Sequence, residues 1–430
     1  MKMIIQNYPS LSKDSSTTKA LKILMAGLES AIPQKQIKKI VSTRQITFDK
    51  KTFPLKNYDS IYLVALGKAA DSMAKTVSSI IKIKKGFIVI PKGIKPIINN
   101  RKFQIFKAGH PVPDKVSVHA AKHILKFLSQ RNERELVIFL ISGGTSSLLA
   151  LPNGITLNEK IKLTKELLLS GASIQELNCV RKHLSKIKGG RLVKDIRCDA
   201  VSLVMSDVLG DDLSSIASGT TYYDSSTFAR ALKIIKKYRL QRKIPQSALR
   251  QLRLGACGKI PETPKKTKIP HHIFLTNRDC IYGMEQKSKQ LGLSFKTISI
   301  SGNITQATAK LLSLLPRKKN SCVIFGGEPT VKIKGHGKGG RNQELVLRLL
   351  EKTQKLNNEI IIASIGTDGI DGNTKYAGAI VKNSLKKQNE IVSYLSKNDS
   401  NSFFKKYGGL IKTGHTHTNL MDIGIILKLS

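Results

Sequence analysis

Two polar, glycine-rich stretches hold the densest chemistry in the chain. Lys338-Gly339-Gly340-Arg341-Asn342-Gln343-Glu344 joins cations to two amides and a carboxylate. Gly366-Thr367-Asp368-Gly369-Ile370-Asp371-Gly372 adds paired carboxylates. Apolar, strand-like runs precede both, Val331 to Lys334 and Ile360 to Ser364. Ligands of a parallel α/β sheet gather beyond the carboxyl ends of its strands. The two stretches therefore point to a site for an anionic ligand and a metal ion, with Asp368 and Asp371 as candidate ligands.

Three more turns share that placement. Ser142-Gly143-Gly144-Thr145-Ser146-Ser147 follows Leu136 to Ile141. Its glycines let the backbone approach a ligand, and the N–H groups of a helix start can hold an anion. Gly67-Lys68 follows Ile61 to Leu66, where a lysine could reach a phosphate. Ser206-Asp207-Val208-Leu209-Gly210-Asp211-Asp212 follows Val201 to Met205, and carboxylates clustered there can bind Mg2+ or orient a hydroxyl. Each also has a plainer reading as a capped strand-to-helix turn. The run Gly335 to Gly340 fits G-x-G-x-x-G, but it lies deep in the second half and precedes Arg341, which suits a phosphate better than a ribose. In His110-Pro111-Val112-Pro113-Asp114 two prolines stiffen a turn that could present His110 or Asp114.

The elements that must position these residues alternate. Leu21, Leu24, Met25, Leu28 and Ile32 recur at helical spacing after the cap candidates Asp14 to Ser16. Strand-like runs at Ile61–Leu66, Phe87–Ile90, Leu136–Ile141 and Val201–Met205 alternate with helical stretches, including Glu159–Leu169 and Ile174–Ile187. Such alternation predicts α/β units with parallel sheets covered on both faces. The pattern lapses between Ile244 and Pro270, where four prolines sit among lysines. A boundary is expected there, with one α/β domain over 1–250 and a second over 251–430. The second would use Ile273–Leu275, Phe295–Ile300, Cys322–Phe325, Val331–Lys334 and Ile360–Ser364.

Bulk properties narrow the class. A chain of 430 residues suits two cores. No apolar run approaches the ~20 residues of a membrane span, and the first residues lack a secretion signal, so a cytoplasmic protein is expected. Five scattered cysteines without a C-x-x-C pair argue against a zinc ribbon or redox motif. The net charge of +44 is extreme, yet lysines occur along nearly the whole chain rather than in one arm. A solvated basic surface that attracts small anions is expected, and nucleic acid is not the expected partner.

Together these segments resemble the glycerate 2-kinase family, whose C-terminal half is the MOFRL domain and whose older name is hydroxypyruvate reductase. The resemblance covers Ala65–Ala74, Ala108–Asp114, the Ser142 loop, Leu169–Leu192 (with Val180-Arg181-Lys182-His183-Leu184-Ser185 and Lys188-Gly189-Gly190-Arg191), Ser206–Gly219, Gly326–Glu344 and Gly366–Ile380. It implies two Rossmann-like α/β domains with the active site in the cleft between them. It also implies ATP-dependent phosphorylation of D-glycerate at its 2-hydroxyl, giving 2-phosphoglycerate, with Mg2+ as the metal. Lys68 and Arg341 match the family's proposed catalytic lysine and arginine, and Asp207 is the first choice for the base. Ser142, Gly143, Gly144, Thr145, Ser146, Arg181, Glu328, Gly339, Gly340 and Asn342 are the implied substrate and nucleotide contacts. Mg2+ on the phosphates would take one or two carboxylates, with Asp211, Asp368 and Asp371 as the candidates beside Asp207. The chain departs from the family at Thr145, at Pro329 and at His417, which replaces a glycine. A monomer and a homodimer are both open. The alternative is an NAD(P)H-dependent hydroxypyruvate reductase, for which His110 and His183 would be available.

Overall fold

A computed structural model describes residues 3–356 and 358–429. The chain forms two compact units, Gln34–Phe274 and a second built from Met1–Pro33 with Leu275–Ser430.

The Gln34–Phe274 unit holds a six-stranded sheet. Its spatial order is Phe103–Ala108, Lys85–Pro91, Ser60–Leu66, Glu135–Ile141, Asp199–Met205, His271–Leu275. The first five run parallel. Counted by appearance, the order is 3-2-1-4-5-6, that of the doubly wound dinucleotide-binding folds. All seven residues of Glu135–Ile141 are buried, as expected for a strand covered on both faces. The helices Lys115–Ser129, Leu157–Leu169 and Ile174–His183 each start with a reciprocal capping box, from Asp114, Thr156 and Ser173. Each cap stabilises its helix by about 1 kcal/mol.

The expected linker from Ile244 to Pro270 belongs to this unit. It contains the helix Gln246–Ala256, whose Ala248, Leu249 and Leu252 are buried. It then brings Glu262 to His183 (3.0 Å) and Thr263 to Asp224 (3.1 Å). Basic residues between the apolar ones, and the neighbouring prolines, had masked that amphipathic spacing.

The other unit also contains a six-stranded sheet, in the order Leu410–Ile411, Gly378–Lys382, Ile361–Gly366, Asp422–Lys428, Ser321–Gly327, Ser294–Ile300. Only Ser321–Gly327 and Ser294–Ile300 pair in parallel; the other pairings are antiparallel. The expectation of a parallel, Rossmann-like second sheet is therefore corrected to a mixed one. Val331 to Lys334 forms no strand; the strand that leads toward the glycine-rich loop ends at Gly327.

The expected division at 250/251 is corrected twice. The boundary lies near residue 275, and the N-terminal helix Ser15–Ser30, capped by Asp14, folds with the C-terminal residues. A side chain at Gly27 would come within 2.7 Å of Ile423 and 2.9 Å of Met284, and one at Gly283 within 2.2 Å of Ser30. The helix thus lies tight against Asn277–Gln290 and Asp422–Lys428. Thr418 closes its end by donating to the Ala31 carbonyl at 2.7 Å.

Candidate active site

In the Gln34–Phe274 unit the strand order reverses between Ser60–Leu66 and Glu135–Ile141. A crevice at the carboxyl ends of two such strands is where doubly wound sheets bind ligands. The register sets Leu66 beside Ile141 and Ile141 beside Val204, so the three turns that follow begin level with one another. They are also tied together. The Lys68 N–H donates to the Gly143 carbonyl (2.9 Å), the Ala69 N–H to Ser142 Oγ (3.0 Å), and Ser142 Oγ to the Leu66 carbonyl (3.2 Å). Gly67 sits at φ +115°, and a Cβ there would lie 2.2 Å from Ser142 Oγ. Gly144, at φ +86°, lies between the His110 imidazole and the Lys68 stem, at 3.2 and 3.3 Å from where its own Cβ would be.

Lys68, Gly144, His110 and Asp207 thereby share one locale. Burial raises the Asp207 carboxyl above the usual range, while the Lys68 ammonium and the Gly144 N–H pull it back. Three polar side chains of these turns also make hydrogen bonds within the protein. Ser142 is the clamp just described. Thr145, fully buried, donates to the Ser142 carbonyl at 2.7 Å. Asp114, offered by the same rigid turn as His110, caps the helix Lys115–Ser129. Ser146 is half-buried; its hydroxyl lies 2.8 Å from Ser218 Oγ, and Arg181 donates to its carbonyl at 3.3 Å. Asp211 sits in the turn after Asp207 with φ 55°.

In the other unit Asp422 starts its strand opposite both Gly327 and Gly366. Arg341, the first residue of the helix Arg341–Thr353, grips Asp422 through Nε (2.5 Å) and Nη2 (2.9 Å) and Glu328 through Nη1 (2.5 Å). Asp422 is buried. Asp371, expected as a metal ligand, is hydrogen-bonded within the protein. Its two oxygens accept the Asn342 and Gln343 N–H groups and both side-chain amides, at 2.9–3.2 Å, which caps the helix. Asn342 is likewise occupied, accepting from Ser364 Oγ at 2.6 Å. A Cβ at Gly340 would lie 2.3 Å from the Asp371 carboxyl, and the Gly339 N–H donates to Asn373 Oδ1. Asp368 caps its own turn through the Ile370 N–H (3.1 Å). His183, a candidate for hydride chemistry, is buried between Glu262 and the Cys179 carbonyl and stacks edge-on against Phe228.

Comparison with known proteins gives these features a context. Residues 19–253 match the model described as a domain of unknown function, DUF4147, and residues 321–422 match the MOFRL family. The D-glycerate 2-kinase of Thermotoga maritima is 38% identical, over 95% of this chain and 98% of its own length. The glycerate 2-kinase of Pyrococcus horikoshii is 36% identical over 95% and 97%. The chain belongs to the glycerate 2-kinase family. A crystal structure of a Thermotoga maritima glycerate kinase superposes with a TM-score of 0.78 at 37% identity, covering 95% of this chain and 98% of the other.

Within that family frame, several residues of both neighbourhoods escaped reading from the sequence alone. Asp422 lies far along the chain from Arg341, and only the fold reveals it as that residue's partner. Ser218 and Asn178 lie in the stretches Ser206–Gly219 and Leu169–Leu192, but no role was assigned to either, and the fold brings them together. Lys188 stood in view in Lys188-Gly189-Gly190-Arg191, but its burial did not. Among the described residues no helix is long and apolar enough to cross a membrane.

Proposed function

We propose that the chain phosphorylates D-glycerate at its 2-hydroxyl, ATP supplying the phosphoryl group and 2-phosphoglycerate and ADP leaving. The observation that carries this reading is the level set of three strand ends that brings Lys68, Gly144 and Asp207 together, in a chain of the glycerate 2-kinase family. Phosphoryl transfer needs charge neutralisation and positioning more than covalent chemistry. Asp207, with its carboxyl raised by burial, suits a base that accepts the hydroxyl proton. Lys68 stabilises negative charge on the transferring group. Arg341 does the same from a guanidinium already oriented by Asp422 and Glu328.

Mg2+ takes one or two protein carboxylates and completes its shell with phosphate oxygens and water. Among the described residues no cluster of three or more His, Cys, Asp or Glu side chains is arranged for a metal. A single carboxylate with nucleotide phosphates fits the chain better, and Asp368 or Asp211 would hold the ion. When bound, it would neutralise phosphate charge. The small anions this reading requires also match the strongly basic composition.

The test is to mix protein, ATP, Mg2+ and D-glycerate and to assign the product by phosphorus NMR. 2-Phosphoglycerate is expected. Exclusive 3-phosphoglycerate would refute the regiochemistry. No turnover, together with NADH oxidation by hydroxypyruvate, would replace the kinase with the reductase.

A further inference from the structure

The Gln34–Phe274 unit contains a second concentration of charge, in which Arg181 and Ser146 are already expected ligand contacts but the buried Lys160 and Lys188 have no role above. Lys160, from the helix Leu157–Leu169, is 4% exposed, and Lys188 is 0% exposed. Lys188 Nζ and Arg181 Nε have no hydrogen-bond partner. Burial lowers the Lys188 ammonium well below the ordinary lysine range, and the neighbouring Arg181, Lys160 and Lys182 charges lower it further. Burial, then Arg181, brings Lys160 down to about 7. Lys182 is matched already, by Asp224 at 3.3 Å. Asp224 is itself taken up by Ser226 and Thr263.

We propose that Lys160, Arg181 and Lys188, with the Ser146 and Ser218 hydroxyls, form a binding site for a phosphate oxyanion. An unpaired buried ammonium costs several kcal/mol. Three cations that converge without a carboxylate are a stable arrangement only when an anion completes them or when protons leave. The backbone around them is held in strain. Ala217 and Ser218 both adopt left-handed φ, 55° and 56°, in residues that carry a Cβ. Such geometry is strained in residues that carry a Cβ and concentrates at functional sites. Here it sets Ser218 Oγ 2.8 Å from Ser146 Oγ and 3.2 Å from Asn178 Oδ1. The Lys188 loop is zipped to the same segment, since the Gly189 and Gly190 N–H groups donate to the Ser218 and Gly219 carbonyls at 3.2 and 2.7 Å. Ser146 and Arg181, both half-buried, are the members nearest solvent.

The number of cations selects the ligand class. A carboxylate brings one charge, enough for Arg181 alone, and would give the two lysines no reason to hold their protons. A phosphate brings up to two charges and several acceptor oxygens, enough for guanidinium, ammonium and hydroxyl donors together. The source of that phosphate is a bound nucleotide or the free ion. Assigning it to the nucleotide rests on the kinase reading; the oxyanion site does not.

The test measures binding rather than turnover, so it remains informative if the kinase reading fails. Inorganic phosphate, ADP and D-glycerate are titrated separately into the wild-type protein, Lys188→Met and Lys160→Met, with melting temperature and calorimetric affinity as readouts. Phosphate is expected to raise the wild-type melting temperature. Lys188→Met should fold without ligand, since Nζ makes no hydrogen bond to lose, yet lose the phosphate-induced rise and bind phosphate at least about tenfold more weakly. A parallel loss for ADP identifies the nucleotide as the source, and an unchanged ADP affinity identifies the free ion. The proposal is overturned if phosphate still stabilises Lys188→Met and Lys160→Met as it does the wild type, or if only D-glycerate binding is lost. Should Lys188→Met not fold, Lys160→Met decides by the same criteria.

Discussion

At the scale of single residues, Asp207 and Lys68 form a coupled pair, and their coupling has a sign. Burial raises the Asp207 carboxyl, and the Lys68 ammonium lowers it. A base must be ionised, so kcat/KM should rise with pH through the Asp207 titration. Removing the ammonium takes away a positive charge that favours the carboxylate. Lys68→Met should therefore lower turnover and also move the acid limb of the pH profile to higher pH. A mutant with reduced turnover and an unmoved acid limb would remove Asp207 from the role of base. Arg341 makes a different prediction. Arg341→Ala should reduce kcat/KM by roughly 10²–10³. It also strands the buried Asp422 carboxylate, which should lower stability in denaturant titration by up to about 3 kcal/mol, the low end for a buried pair because Arg341 is partly exposed. The double variant Arg341→Ala with Asp422→Asn should recover most of that stability and none of the activity. If activity returns with stability, Arg341 only holds the strand ends together. The glycines and charges of these neighbourhoods were legible as letters. The hydrogen bonds of Ser142, Asn342 and Asp371 were not, because a buried hydrogen-bond network and a ligand site recruit the same polar residue types.

At the scale of elements, apolar runs announced most strands of the first sheet, since a strand buried on both faces is apolar throughout. Strand direction in the second sheet was not legible. Ile361–Gly366 reads the same whether its neighbours run parallel or antiparallel, and Asp422–Lys428 supplies the antiparallel pairings from the far end of the chain. The helix Gln246–Ala256 was hidden by prolines and arginines, so a boundary was expected where a packed element lies. The turn after Glu135–Ile141 gives the prediction at this scale. Gly144→Ala would put a methyl group at φ +86° and 3.2–3.3 Å from His110 and Lys68. Turnover should fall by at least about tenfold, with a stability loss of about 1–2 kcal/mol from the left-handed backbone. Normal turnover in a stably folded Gly144→Ala protein would show that the approach of Lys68 and His110 to this turn is incidental.

At the scale of the whole molecule, 73 lysines and arginines against 29 acids create a field that reaches any approaching anion. Exposed charges separated by more than a screening length cease to act together, and that length is about 10 Å at 0.1 M salt. Raising KCl from about 50 mM to about 500 mM should therefore raise KM for ATP several-fold while kcat changes little. A KM that is indifferent to salt would mean that the basic surface takes no part in substrate capture.

The seat of the N-terminal helix carries a consequence for biosynthesis. Ser15–Ser30 emerges from the ribosome first, but Asn277–Gln290 and Asp422–Lys428, which cover its apolar face, emerge only after residues 34–274 have been made. At about 5–20 residues per second, Leu21, Leu24 and Leu28 wait roughly ten seconds to a minute for their cover. During that wait the helix offers sticky surface to any holdase near the exit tunnel. Residues 275–430 made alone should aggregate, and co-expression of residues 1–33 should return them to the soluble fraction.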